Sequence, residues 1–378
     1  MEKKYQMAKP YINEEEEKLV LEVLRSGTLS IGPKIEEFEK RFSEMLGAKY
    51  ACAVSNGTVG LHLALIACGI KEGDEVITSP FSFVASANVI LYMGAKPVFT
   101  DVDPTTFNID PKEIEKKINP KTKAILPVHI FGQSADMERI MALASRHNLK
   151  VIEDACESVM AEYKGKKVGT FGDAAAFSFY PNKQMTTGEG GMITTNDKKI
   201  DNLCRSLRNQ GRSKNMQWLD HQILGYNYRI TEMGAALGIG QLKKLAGVIE
   251  KRREIAGWYE EEIKKYEDLL SFPKTRADNT HTWFVYVARI KDPKINRDGV
   301  INKMAEFGIA TKPYLPSIHL FDFYRKKFGF KPGDFPVSEA ISNSSVALPF
   351  YIGLEKSDTE YICRKLAETV KGYKIDGV

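Results

Sequence analysis

Lys183 stands where a lysine can act as a reagent. An apolar run ends in Ser178-Phe179-Tyr180, passes through Pro181-Asn182-Lys183, and is followed by Thr186-Thr187-Gly188-Glu189-Gly190-Gly191. A lysine held in a partly desolvated pocket becomes a nucleophilic amine; in an ordinary turn it is a solvated surface residue. Upstream, Val151-Ile152-Glu153-Asp154 puts an acid at the end of another apolar run. In open α/β sheets ligands bind at those strand ends. A carboxylate there can keep a cationic ring nitrogen protonated, although Asp is also a common helix cap. Ser55-Asn56-Gly57-Thr58 joins a strand to a helix. The free N–H groups of that helix start and the Thr58 hydroxyl suit a phosphate, or form an ordinary turn, since no Walker lysine follows. Phe83, in Pro80-Phe81-Ser82-Phe83, offers a ring for stacking or for core packing. A phosphate cradle, a stacking ring, a ring-nitrogen acid and an imine-forming lysine thus follow one another along the chain, all at strand ends. Pyridoxal phosphate requires that set.

The elements that must position these residues alternate. Asn13 is expected to cap a helix with Glu16 at N3, and the acidic run Glu14–Glu17 then sits at the positive end of its dipole. That helix stops at Ser26-Gly27, and a second runs from Pro33 to Gly47. Strands are expected at Tyr50–Val54, Glu75–Thr78, Lys96–Asp101, Lys123–Val128 and Lys150–Glu153, with helices at Gly57–Cys68, Ser82–Tyr92 and Met137–His147. Short apolar strands alternating with helices predict an α/β sheet covered on both faces. Ala174–Phe179 and Met192–Thr195 follow closely enough for part of the sheet to be antiparallel. Beyond residue 197 helices dominate: Thr231–Lys244, rich in small residues, then a charged helix from Gly247 to Tyr266. A strand at Thr282–Ile290, a helix at Asp298–Phe307, a Pro-rich loop at Thr311–Pro316 and helices at Pro336–Ser344 and Ser357–Lys371 complete the chain. The boundary is placed near residue 244: 1–243 a large domain with the N-terminal segment, 244–378 a smaller α/β domain.

Composition narrows the function classes. With 378 residues the chain has room for two or three domains. Hydrophobic residues at 43% and charged residues at 27% exclude a disordered or collagen-like chain. The net charge, 54 − 49 = +5, is spread over the sequence, so no nucleic-acid surface is expected. No apolar stretch reaches the ~18 residues of a membrane span, and Met1–Pro10 lacks the apolar core of a secretory leader. Five cysteines, Cys52, Cys68, Cys156, Cys204 and Cys363, are odd in number and lack C-x-x-C spacing. A reduced, cytoplasmic protein without a metal site is expected. His129, after an apolar strand, reads as a structural or pocket residue.

The sequence resembles the DegT/DnrJ/StrS family of pyridoxal-phosphate sugar aminotransferases over almost its whole length. The resemblance rests on Ser26–Pro33, Ser55-Asn56-Gly57-Thr58, Gly73-Asp74-Glu75-Val76-Ile77, Ile152-Glu153-Asp154-Ala155 and Gly169-Thr170-Phe171-Gly172-Asp173. Its most specific part is the Lys183-x-x-x-Thr-Gly-Glu-Gly-Gly core; Gly225-Tyr226-Asn227-Tyr228-Arg229, Pro313-Tyr314 and Ile318-His319-Leu320 follow. The resemblance implies the aspartate-aminotransferase fold (fold type I), with a mostly parallel seven-stranded sheet in the large domain and two subunits sharing active sites. It makes Lys183 the Schiff-base lysine and Asp154 the partner of the pyridine nitrogen. Phe83 becomes the stacking ring, and Gly57, Thr58 and Ser178 the phosphate ligands. Asn227 reaches the phosphate of the neighbouring subunit. Arg229, Tyr314 and His319 fall at the sugar-nucleotide site. Glu157 stands near the ring hydroxyl, where many members carry Gln or His.

The implied reaction is transfer of an amino group from glutamate to a nucleotide-linked keto-sugar in two half-reactions, with C4 favoured over C3. A relative that deoxygenates sugars replaces the lysine by His, so Lys183 favours amino transfer. The alternatives are other pyridoxal-phosphate chemistry on the same fold and a non-catalytic sensor or regulatory homologue.

Overall fold

A computed structural model of the chain describes residues 4–213 and 220–376. Residues 1–3, part of the stretch read above for a leader, lie outside the described residues. In chain order the first elements are α1 (Glu14–Ser26), α2 (Pro33–Leu46), β1 (Tyr50–Val54), α3 (Gly57–Ala67), β2 (Glu75–Thr78), α4 (Ala85–Tyr92) and β3 (Lys96–Phe99). Next come α5 (Pro111–Lys117), β4 (Thr122–Ile125), α6 (Met137–His147), β5 (Lys150–Asp154), β6 (Glu162–Tyr163), β7 (Lys166–Lys167), β8 (Ala174–Ser178), β9 (Gly191–Thr195) and α7 (Lys198–Arg208). The rest are α8 (Glu232–Lys264), β10 (Leu270–Ser271), β11 (Asn279–Thr280), β12 (Tyr286–Ile290), α9 (Arg297–Glu306), β13 (Lys312–Pro313), α10 (Asp322–Phe328), α11 (Pro336–Ser344), β14 (Ser345–Leu348) and α12 (Lys356–Asp376).

The central sheet has seven strands in the order β1-β9-β8-β5-β4-β2-β3. The pairs β3/β2, β2/β4, β4/β5 and β5/β8 are parallel, and β9 runs antiparallel to both β8 and β1. Period-2 alternation gives this sheet two buried faces. Ala174 and Ala176 of β8 join one core with Cys52, Val54, Leu61 and Ile193. Ala175 and Phe177 join the opposite core with Phe38, Phe42, Ala53 and Met192. The register pairs Asp154 with Ala176, so β5 and β8 end side by side. A four-stranded antiparallel sheet, β10-β12-β14-β13, and a three-stranded one, β11-β6-β7, complete the strands.

Helix ends follow their signals. Asn13 and Glu16 form the expected capping box on α1. The second helix begins at Pro33 and ends at Gly47 in a left-handed C-cap, φ 82°. Glu232 of α8, almost wholly buried, accepts from the N–H groups of Gly32 (3.0 Å), Lys34 (2.8 Å) and Ile35 (3.1 Å). One carboxylate thereby satisfies the start of α2 from 200 residues away.

Expectations for the helices change. The two helices expected across residues 231–266 are a single 33-residue helix, α8, roughly 50 Å long. Gly247 does not break it, because Leu245, Val248, Ile249 and Arg252 keep the buried helical period across it. The expected boundary near residue 244 therefore falls inside a continuous helix, and Tyr5 from the N-terminal segment is buried in the core formed by α8, α9, α12 and β12. The small-residue face of α8 is filled by its own chain: a Cβ on Gly238 would come within 2.6 Å of the Phe38 ring, and one on Gly240 within 2.7 Å of Glu16. Finally, α4 starts at Ala85 rather than Ser82, which leaves Phe83 in the preceding loop.

Candidate active site

Gly57, Asp154 and Ser178 are brought together by close packing at the strand ends. A Cβ on Gly57 would lie 2.7 Å from Cys156 Sγ and 2.9 Å from Ser178 Cβ, so only glycine lets the start of α3 approach this closely. Asn56 caps the helix by accepting from the Val59 N–H (3.0 Å). This leaves the Gly57-Thr58 start of α3 facing the end of β8, a geometry that suits a phosphate.

Asp154 ends β5 and is buried. Its Oδ2 accepts from Ser86 Oγ at 2.7 Å and its Oδ1 from the Cys156 N–H at 3.1 Å. Ser86 is the second residue of α4, whose preceding loop holds Phe83. That ring is 62% exposed, unusual for a large apolar side chain beside a buried carboxylate, and its face is open for stacking. Burial, and then the Asp154 charge, push the Cys156 thiol well above its ordinary range, while Lys183 pulls it back. Cys156 therefore senses both groups at once.

Lys183 follows β8 and is mostly buried, its side chain 13% exposed. Its Nζ lies 3.9 Å from Glu157 Oε1 and 3.8 Å from the centre of the Phe284 ring. Glu157 is buried, and its Oε2 accepts from the Phe131 N–H at 2.8 Å. Burial raises the Glu157 pKa, and Lys183 opposes that rise. Tyr314 packs on Phe131 and Phe284, and burial pushes its phenol far up, with the Glu157 charge adding to the effect. Lys183, Glu157, Phe284 and Tyr314 are thus joined in one set of contacts through Phe131.

Other expected residues lie apart. Asn227 is exposed, in a segment whose Tyr228 carbonyl accepts from the Ser55 N–H at 2.9 Å. Arg229 donates to Asn209 Oδ1 at 2.9 Å and lines a cavity of about 200 Å³ with Ile31, Arg205 and Arg208. His319 departs from its expected place at the sugar site. It is wholly buried, packs on Phe335 with ring centres 4.7 Å apart, and bonds Glu339 through Nε2 at 3.0 Å. A side chain with no exposed surface packs the Phe335 cluster rather than meeting a ligand. His129 is structural: its Nδ1 accepts from the Ala135 N–H (3.1 Å), so in the neutral ring Nε2 carries the hydrogen and donates to Glu153 Oε2 (3.0 Å). Among the described residues no group of three His, Cys, Asp or Glu side chains is placed to hold a metal, and no helix is long and apolar enough to cross a membrane.

Ser86, Cys156, Phe284 and Arg252 were not legible as site residues. Ser86 carried a weak sign, being four residues after Ser82 with hydroxyls 2.7 Å apart. Phe284 and Arg252 come from distant segments, and nothing local marks them.

The sheet, its strand-end lysine and the buried Asp154 define a fold type I aminotransferase that uses pyridoxal phosphate. Residues 10–367 match the DegT/DnrJ/EryC1/StrS aminotransferase family, and the chain belongs to it. It is 40% identical to the GDP-perosamine synthase of Caulobacter vibrioides over 366 residues, covering 96% of this chain and 98% of that protein. Its fold matches Helicobacter pylori PseC, an aminotransferase involved in the biosynthesis of pseudoaminic acid. The TM-score is 0.92, with 29% identity over 98% of this chain and all of that one. The PLP form of the putative sugar aminotransferase Spr1654 from Streptococcus pneumoniae superposes with a TM-score of 0.92 at 25% identity over 98% of this chain and all of that one. The protein is a pyridoxal-phosphate-dependent sugar aminotransferase of that family.

Proposed function

We propose that the protein transfers the amino group of glutamate to a nucleotide-linked keto-sugar, at C4 in preference to C3, through two half-reactions at one site. The observation that carries this reading is the convergence at Cys156, which touches Gly57 and Asp154 and senses the charge of Lys183 and Glu157. Pyridoxal phosphate, when bound, supplies the electron sink. In this reading Gly57, Thr58 and Ser178 hold its phosphate and Phe83 covers its ring. Asp154, oriented by the Ser86 and Cys156 hydrogen bonds, would hold the ring nitrogen protonated. Lys183 is the amine that would link to the cofactor and, once free, would serve as the general base of the 1,3-proton shift. Tyr314 and Arg229 serve the substrate; similarity to a GDP-perosamine synthase supports a GDP-linked one.

The reading includes a homodimer in which Asn227 reaches the partner's phosphate, a large and a small domain within each chain, and a cytoplasmic location. Leu224, 87% exposed, and Ile31, 54% exposed, support a partner surface beside the Asn227 segment. The five free cysteines support a reducing compartment. The test supplies nitrogen-15 glutamate with UDP-, GDP- and dTDP-linked keto-sugars and follows products by mass spectrometry and NMR. A labelled amino group at C4 of one nucleotide sugar is expected. Loss of carbon dioxide or sulfur from a substrate, or no transfer to any sugar, would favour other chemistry.

A further inference from the structure

The lysine's surroundings have a feature that its link to a cofactor does not require. Its Nζ rests 3.8 Å from the centre of the Phe284 ring and 3.9 Å from Glu157 Oε1. The two contacts are of different kinds, a π face and a carboxylate, and both favour a cation. One residue joins them. Phe131 donates its N–H to Glu157 Oε2 (2.8 Å) and accepts the Phe284 N–H on its carbonyl (2.8 Å). It does so in the left-handed region, φ 59°, a conformation that bulky residues rarely adopt. The other Glu157 oxygen is thereby left to the lysine.

Arg252 ties the opposite side. Its guanidinium is buried in α8 and donates to the carbonyls of Trp283 (3.0 Å), Phe284 (3.2 Å) and Lys183 (3.5 Å). It has no carboxylate partner among the described residues, and burial brings its pKa down to about 10. A buried guanidinium spent on three carbonyls fixes the lysine's backbone against the backbone of the ring beneath its amine. Gln184 adds a further tie, donating to the Glu157 carbonyl at 2.6 Å and to Thr282 Oγ1 at 3.2 Å.

We propose that Phe284 and Glu157 form a docking station for the Lys183 amine whenever that amine is not covalently linked, with Arg252 as the residue that positions both sides of it. The proposal rests on Lys183 being the cofactor-linked lysine. A released lysine has four rotatable bonds and would otherwise sample many positions. The station holds it within a short swing of its reacting position, and the carboxylate stabilises the proton it has taken up. The other titratable groups coupled to Glu157 are Asp154, Cys156 and Tyr314.

The test uses the full-length protein stripped of cofactor. Trace reductive methylation at neutral pH is followed by peptide mass spectrometry, and labelling of Lys183 is compared with that of exposed lysines in the same sample. Glu157→Gln is expected to speed Lys183 labelling about three- to tenfold, because the amine loses the charged contact that holds it in the pocket. Phe284→Leu should act in the same direction, and Phe284→Tyr, which keeps the ring, should restore the slow rate. Arg252→Met should speed labelling as well, by loosening both sides. Lys183 labelling within about twofold of wild type in both Glu157→Gln and Phe284→Leu would overturn the station. Should Glu157→Gln not fold, the Phe284 pair decides alone. Borohydride reduction of the loaded wild type separates the two claims: a cofactor label on another lysine would refute the role of Lys183 itself, whatever the labelling rates.

Discussion

At Asp154 the chain spends two hydrogen bonds, from Ser86 Oγ and the Cys156 N–H, on one buried carboxylate. An ionised carboxylate at this place would hold a ring nitrogen protonated. Asp154→Asn keeps the shape and removes the charge. Its amide can still accept from one of these donors, so the cofactor is retained. Amino transfer is expected to fall on the order of a hundredfold, about 2.7 kcal/mol in barrier, as measured by single-turnover spectroscopy of each half-reaction. A variant that turns over at the wild-type rate would give Asp154 some other task. At this scale Lys183, Asp154, Gly57 and Phe83 were legible as candidates: each lies at or after the end of a buried strand, and residue type with that position suffices to suggest them. His319 shows the limit. Its neighbourhood in the chain placed it near Tyr314, but the short turn at Ile318–Leu320 aims its ring at Glu339 and Phe335. Rotation of a side chain about a tight turn is set by tertiary packing and leaves no trace in spacing.

Among the elements, β5 shows how a strand holds a catalytic end in place. Glu153, immediately before Asp154, is wholly buried and accepts from the N–H groups of Gly169 (2.7 Å), Phe171 (2.8 Å) and Gly172 (2.8 Å) as well as from His129. The carboxylate thus ties β5 to the loop that leads into β8. Burial alone would raise its pKa, but the His129 bond and the backbone donors outweigh it and hold the group below the usual carboxylate range. A depressed folded-state pKa contributes stability above the unfolded value and loses it as pH falls through the folded value. Glu153→Gln should therefore cost about 3 kcal/mol near neutrality, and its gap from wild type in urea melts should narrow below about pH 4. A gap that stays constant down to pH 3.5 would contradict the assignment. Most elements of the large sheet were visible because their apolar runs and caps are local. The continuity of α8 was not, since Gly247 reads as a stop until Val248, Ile249 and Arg252 are seen buried on the same face. The two-residue strands β6, β7, β10, β11 and β13 were missed because they are too short to show a period.

In the whole molecule, Asn227 is exposed while the residues on either side are half-buried. Composite sites make a sharp prediction. Lys183→Ala and Asn227→Asp are each inactive, the second because an added carboxylate repels the phosphate in a poorly solvated site. After subunit exchange, a mixed dimer collects both defects in one site and leaves the other intact, so activity should rise above that of either variant. No recovery despite proven exchange would mean that Asn227 serves its own subunit. Everything proposed for the site depends on Lys183 being the residue that carries the cofactor. Borohydride reduction of the loaded protein followed by peptide mapping tests this most directly: the pyridoxyl group is expected on the Lys183 peptide, and its appearance on any other lysine would contradict the assignment.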